Sequence, residues 1–361
     1  MRRRGLVGAA AAVGLAAPAL AQTASPEIRW RLASSFPRSL DITWGAGEFL
    51  ARQVAEITGG RFRIQPFAAG EIVPPLQVLD AVAQDGVEMA HTGSLFFTGK
   101  DSAFAFGTTV PFMLNTRQQN AWLYHGGGNE MLGDLFKRFN VVGLPCGNTG
   151  NQMGGWFRKE IRGVEDLRGL KFRVAGLAGA VMAKTGVVPQ QIPPGDIYAA
   201  LERGTIDAVE YVGPYDDLKL GFQRVARYYY HPGWGEGGAI LHAFVNQDRW
   251  NGLPPAYRAA LETAAMATNA WMTSRYDFAN VEALYRLVAE GAQLRAFPND
   301  VLDALHRAAQ EVFAEQSAAN PRFRALLDSQ TAFRDRHYGY HQVADYAFDS
   351  MMLRLRRQQG R

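Results

Sequence analysis

Residues 196–217 read DIYAALERGTIDAVEYVGPYDD, and the course of this stretch sets the fold. Ile197, Ala200 and Leu201 recur at helical spacing, so the segment opens as an amphipathic helix. Gly204 ends it, because glycine takes the positive φ that closes a helix. The apolar run Ile206–Val209 then reads as a short buried strand. Glu210 and Tyr211 stand at its end, followed by a Gly213-Pro214 turn and the pair Asp216-Asp217. Open α/β sheets bind ligands beyond the carboxyl ends of their strands, which makes Glu210 a candidate ligand-facing carboxylate. The alternative is an ordinary charged residue at a strand end.

Upstream, residues 76–93 (LQVLDAVAQDGVEMAHTG) repeat this layout of helix, glycine, short strand and polar residue. His91 takes the place there that Glu210 takes in the later copy. The chain before it runs strand (Ile28–Ala33), helix (capped by Asp41, to about Ile57), strand (Phe62–Pro66). That β-α-β-α-β order predicts a parallel sheet with helices on its faces. Two such halves, each offering loops at a strand end, would face a shared cleft.

Between the halves, Val141–Leu144 reads as a buried strand leading into GNTGNQMGG, residues 147–155. Glycines allow close backbone approach to a ligand, but no Lys-Ser/Thr follows at phosphate-loop spacing. Asn148 and Gln152 are the polar candidates in this loop. In the next strand Leu170, Phe172 and Val174 share one face, and Lys171 and Arg173 the other. Residues 228–238 (YYYHPGWGEGG) read as an aromatic, glycine-rich loop carrying Trp234 and Glu236. A strand is expected at Ala239–Asn246. From Pro254-Pro255 a helix runs to about Glu290, long enough to lie across two lobes. Further helix follows from Asn299 to about Ala318. The last amphipathic segment, Gln342–Arg357, packs on a lobe or reaches a partner subunit.

The ends bound the compartment. Arg2, Arg3 and Arg4, an apolar stretch, and Ala19-Leu20-Ala21 form a secretory signal peptide over residues 1–21. No later apolar run reaches the ~20 residues needed to span a bilayer. The signal carries three of the chain's 38 basic residues and none of its 34 acidic ones. The exported chain is therefore near neutral, with no electrostatic reason to bind nucleic acid or a membrane. Cys146 is the single cysteine, so no intrachain disulfide forms, and a packed side chain is its expected role. About 340 remaining residues exceed one core and predict two lobes.

Enzyme motifs are missing: no G-x-S-x-G elbow and no H-E-x-x-H. His337 and His341, four apart on a helix, lack an evident third metal ligand. Binding chemistry fits better. The planar fork of Arg173 matches a substrate carboxylate, against the alternative of an outward salt-bridging arginine. Gln152, Glu210 and Glu236 offer hard oxygens for Na⁺ or Ca²⁺, and Trp234 and Tyr211 would wall such a site from water.

The stretches WRLASSFP (30–37), HGGGNE (125–130), GNTGNQMGGWFR (147–158), DLRGLKFR (166–173), VVPQQIPPGDIY (187–198), VGPYDD (212–217) and PGWGEGG (232–238) occur together in order. Together they resemble the DctP-type periplasmic solute-binding proteins of TRAP (tripartite ATP-independent periplasmic) transporters, within them the 2-oxo-acid-binding, TakP-like subgroup. The resemblance implies an α/β two-lobed periplasmic-binding-protein fold with a long helix bridging the lobes. It implies that Arg173 binds the substrate carboxylate. Gln152 and Glu210 side chains, the Tyr211 carbonyl and Glu236 would hold a Na⁺ or Ca²⁺ ion that joins protein to substrate. Gln152, Asn148, Phe96 and Trp234 would touch substrate as well. Three departures stand out. Tyr211 replaces the subgroup's usual Trp, residues 94–98 lack its tyrosines, and Gly235 replaces a bulky aromatic and would enlarge the cleft.

The implied organisation is a first lobe of 22–139 plus 239–253 and a second of 140–238 plus 290–335. A bridging helix (254–289) and a terminal helix (336–361) complete it. The implied function is that of a periplasmic, non-enzymatic receptor. It takes a small organic monocarboxylate, a 2-oxo or 2-hydroxy acid, and hands it to the TRAP permease, with a homodimer possible through the terminal helix. The alternatives are a ligand-sensing binding protein and a metal-dependent hydrolase or lyase with Glu210 as base.

Overall fold

The computed structural model describes residues 26–360; the signal peptide expected at 1–21 lies outside them. Eleven strands form among the described residues: β1 (Ile28–Ser34), β2 (Phe62–Phe67), β3 (Met89–Thr92), β4 (Val141–Asn148), β5 (Gly155–Phe157), β6 (Lys171–Arg173), β7 (Val188–Gln190), β8 (Ala208–Val209), β9 (Tyr228–His231), β10 (Ile240–Asn246) and β11 (Gln293–Ala296). They build two sheets, one per lobe, ordered β2-β1-β3-β10-β4 and β11-β9-β5-β8-β6-β7. In the first, β1 runs parallel to β2 and β3, and β10 is antiparallel to both its neighbours. In the second, β6 runs parallel to β7 and β8, and β5 runs antiparallel to β8 and β9.

The repeated layout read from the sequence is real. The Val78–Ala83 helix feeds β3, and the Ile197–Glu202 helix feeds β8, each in the centre of its sheet. Several details differ from expectation. Tyr228–His231 is a strand rather than loop, pairing with β5 and β11. Its Tyr229 and Tyr230 are buried, and the aromatic run fills the second lobe's core. The first lobe does not end at residue 139, because β4 pairs with β10 and carries that lobe on to Asn148. Residues 290–335 are not all in the second lobe either. The Asn299–Ala319 helix packs there, on the Gly176–Lys184 helix. The Pro321–Val343 helix returns to the first lobe, where Phe323 meets Phe106 and Gln330 bonds Gln119.

The helix beginning at Pro255 extends to Ala289, 35 residues. Its first half buries Tyr257, Leu261, Ala264 and Ala265 with the first sheet's residues Leu32, Met89 and Val245. Met272, Tyr276 and Leu287 join a different core with Trp156, Ile197 and Phe222 of the second lobe. One rigid element thus serves both cores. Among the described residues no helix is long and apolar enough to cross a membrane.

Candidate ligand and cation site

A cavity lies between the lobes. Its polar lining is Thr43, Thr149, Gln152, Arg173, Glu210, Tyr211 and Glu236. The remainder is apolar: Phe36, Leu95, Phe96 and Leu241, with Ala175, Val212 and Ala239. Apart from Thr43, which opens a helix, each polar group is delivered by a strand end or a glycine-shaped loop. Arg173 closes β6 and Glu210 follows β8, with the Glu210 amide donating to the Arg173 carbonyl at 2.9 Å. The Gln152 amide donates to the Glu236 carbonyl at 3.2 Å, which ties the two loops together.

Arg173 is 2 % exposed, so the outward salt-bridging reading is excluded. Its Nε donates to the Ile192 carbonyl at 3.1 Å and its Nη1 to the Glu210 carbonyl at 2.5 Å. These bonds fix the guanidinium plane beside the Tyr211 ring, 5.4 Å from its centroid. Burial lowers the Arg173 pKa, opposed by Glu210, Tyr211, Glu236 and Asp217. Burial, and then mutual repulsion, pushes the Glu210 carboxyl well above the usual range. Burial raises Glu236 to about 7, opposed by Arg173 and a bond from Gln152. Two carboxylates facing a single guanidinium leave the cavity short of positive charge.

Two unpaired oxygens make the lining suited to a cation. Gln152 Oε1 and Glu210 Oε1 are buried acceptors without a hydrogen-bond partner, while Gln152 Nε2 donates to Thr149 Oγ1 at 2.9 Å. Buried oxygens left unpaired cost free energy until something positive meets them. A mixed set of amide, carboxylate and carbonyl oxygens suits Na⁺ or Ca²⁺ and not a soft metal. Among the described residues no group of three or more His, Cys, Asp or Glu is placed to hold a metal, and that includes the His337–His341 pair.

Four sequence candidates lie elsewhere or act otherwise. The Asn148 side chain accepts from the Gly150 amide at 2.9 Å, shaping the loop without lining the cavity. Trp234 stacks on Phe112, centroids 5.4 Å apart, and supports the Glu236 loop from behind. His91 is fully buried in β3, bonded to the Cys146 carbonyl at 2.9 Å, and takes no part. Gly235 does not enlarge the cleft, because a Cβ there would sit 3.2 Å from the Ala178 Cβ. Phe36, Thr43, Leu95 and Leu241 line the cavity as well, although no sequence motif marks them. Their only sequence signal is position: Phe36 just beyond β1, Thr43 at the start of the following helix, Leu95 beyond β3 and Leu241 within β10.

The profile of "Bacterial extracellular solute-binding protein, family 7" (DctP) matches residues 33–320. The chain belongs to the DctP family. Among its relatives, the "monocarboxylate 2-oxoacid-binding periplasmic protein" of Nostoc sp. is 46 % identical over 329 residues, 91 % of this chain and 90 % of that one. A Bordetella bronchiseptica TRAP solute-binding protein has 46 % identity and a TM-score of 0.91, covering 92 % of this chain and 99 % of its own. It was solved as a mixed-occupancy dimer, with copurified calcium and picolinate in a bound site against an apo site. A Pseudoalteromonas atlantica protein, 37 % identical with a TM-score of 0.87 over 90 % of this chain and 99 % of its own, was solved with sodium and pyruvate. The two-sheet architecture with its long helix is thus that of DctP-family TRAP receptors.

Proposed function

We propose that this DctP-family chain is a periplasmic receptor for a 2-oxo monocarboxylate, held together with a Ca²⁺ or Na⁺ ion and passed to a TRAP permease. The observation that carries the reading is one buried guanidinium beside two orphaned acceptor oxygens, Gln152 Oε1 and Glu210 Oε1, in a cavity that Thr43, Thr149, Tyr211 and Glu236 line as well. A single cationic side chain suits one carboxylate. The cation accounts for the orphaned oxygens.

The ligands named for the relatives share a chemistry. Pyruvate and picolinate each carry a carboxylate with a second donor atom on the adjacent carbon, so each chelates a hard cation. In this chain Gln152, Glu210, Glu236 and the Tyr211 carbonyl would hold the ion, and the ion supplies positive charge for the ligand's oxygens. Arg173 fixes the carboxylate by its planar fork. Phe36, Leu95, Phe96 and Leu241 take the ligand's tail and exclude water. Ligand bridging two lobes favours the closed state by its differential affinity. The role is binding and release, with the acid recovered unchanged.

The Asp345–Gln358 helix has no buried residue and exposes Phe348, Met351, Met352 and Leu355 along one side. A 14-residue helix is marginal without packing, and a second copy of the chain is the partner we assign to it.

Thermal unfolding against a panel of 2-oxo, 2-hydroxy, dicarboxylic and aromatic acids tests the function. A ligand at a hundred times its dissociation constant adds ~2.7 kcal/mol. Stabilisation by 2-oxo monocarboxylates that disappears on chelation in sodium-free buffer is expected. Equal stabilisation by dicarboxylates, or none by any acid, contradicts the reading.

A further inference from the structure

Asp41 stands where the sequence predicts a helix cap, yet it does not cap. Ile42 occupies the N-cap of the Thr43–Ile57 helix, with no side-chain bond to the helix amides. The Asp41 carboxylate instead reaches across the cleft to the second lobe. Its Oδ2 accepts from the Tyr215 hydroxyl at 3.1 Å, and its Oδ1 pairs with the Lys219 ammonium. Lys219 lies over the Tyr215 ring, 4.7 Å from its centroid. Arg275, on the bridging helix between the two cores, approaches Asp41 Oδ2 to 3.9 Å.

The placement is what gives this cluster meaning. Asp41 is two residues before Thr43, which lines the cavity from the first lobe. Tyr215 and Lys219 sit on the Pro214–Leu220 helix, directly after Tyr211 and Val212, which line it from the second. That helix is itself anchored to the bridging helix, through the Tyr215 amide and Asn280 at 3.0 Å and through Tyr276 and Asp216 at 2.7 Å. The cluster therefore joins the two walls of the cleft.

We propose that Asp41 is a positioning residue, a cross-cleft latch whose bonds to Tyr215 and Lys219 hold the lobes shut and so set ligand affinity without touching the ligand. Asp41 and Lys219 are part-exposed, 45 % and 31 % for their side chains, so salt screens the latch. Such pairs contribute modestly one by one, so the latch tunes the closed state and does not create it.

The inference rests on the receptor reading for its ligand assay, so the test has a second arm that needs no ligand. In the first arm, pyruvate affinity in calcium is measured for the wild type, Asp41→Asn and Lys219→Met, at about 20 mM and about 500 mM salt. Wild-type affinity should fall by about two- to five-fold between the two conditions. Each variant should start at the weaker value and lose the salt dependence, with faster dissociation and an unchanged ligand-free melting temperature. In the second arm, small-angle scattering of the ligand-free proteins follows the radius of gyration over the same salt range. The wild type should expand with salt, and the variants should be expanded throughout. No pyruvate binding by the wild type would sink the receptor reading and leave the scattering to decide. Identical behaviour of the wild type and both variants in every arm that reports overturns the latch.

Discussion

At the scale of single residues, Arg173 carries the account. Its guanidinium is fixed by the carbonyls of Ile192 and Glu210 before any ligand arrives, so the orienting entropy is already spent in folding. Arg173→Lys keeps the charge but loses the fork and both fixed bonds. We expect Arg173→Ala to weaken acid binding by about 30-fold or more, because the acid's carboxylate loses its buried, charge-assisted partner. Arg173→Lys should recover only part of it, both read by calorimetry. Unchanged affinity in Arg173→Ala would remove the residue from the site. Glu210→Gln reduces the charge around the ion, and calcium affinity should fall by at least about tenfold. A chelator-buffered calcium titration checks this, and equal affinity would place the ion elsewhere. Some of this was legible in the chain. Alternation put Arg173 and Lys171 on one face, but could not say which was buried. The structure buries Arg173 at 2 % and exposes Lys171, because only Arg173 reaches the end of β6 at the cleft.

At the scale of elements, the site is held by glycine loops whose spacing admits no side chain. A Cβ on Gly233 would lie 2.2 Å from the Gln152 carbonyl, and one on Gly155 would lie 2.6 Å from the Val209 carbonyl, at φ +110°. Gly233→Ala must therefore push the Gln152 loop off its position. We expect about 1–3 kcal/mol lost in denaturant unfolding together with weaker calcium binding. Normal calcium affinity in a folded Gly233→Ala protein would show that the loop position does not matter. The long helix, the repeated helix-glycine-strand layout and the strand-end carboxylate were readable because each rests on a local pattern. Strands β5 and β7 were not, since neither sits in a longer run of alternating residues as β6 does. Phe36 and Leu95 became site residues only through closure of one lobe on the other, which no local pattern records. Across the cleft, Leu95 meets Gly176, where a Cβ would approach its own Cβ to 3.2 Å.

At the scale of the whole molecule, the first lobe keeps two imidazoles in its core. Burial pushes His91 down to about 4, and burial together with His91 pushes His242 down to about 3. His242 lies beside Phe136 and Phe244 with neither ring nitrogen bonded. Both rings titrate near their ordinary value of 6.5 once the chain unfolds. Above that pH they cost nothing differential. Below it the unfolded chain takes up protons that the native one refuses, so stability is lost as pH falls. Asp216 and Asp217 work the other way. Burial raises each to about 7, so their contribution is full below the unfolded carboxylate value and lost as pH rises through about 7. The wild-type profile mixes these opposed effects. The difference between wild type and His242→Phe isolates one of them. Below about pH 6.5 the variant should gain on the wild type by about 1.4 kcal/mol per pH unit, in urea unfolding series. Parallel profiles would mean that His242 takes up a proton in the folded state.

The central claim is that one acid and one cation bind together between the lobes. The most direct measurement is a calorimetric titration of the chelated, sodium-free protein with pyruvate, repeated after adding calcium and then sodium. No measurable heat of binding is expected without a cation, and saturable one-to-one binding with it, lost again in Arg173→Ala. Equal affinity for pyruvate with and without cation would contradict it, and the orphaned oxygens of Gln152 and Glu210 would then need another partner.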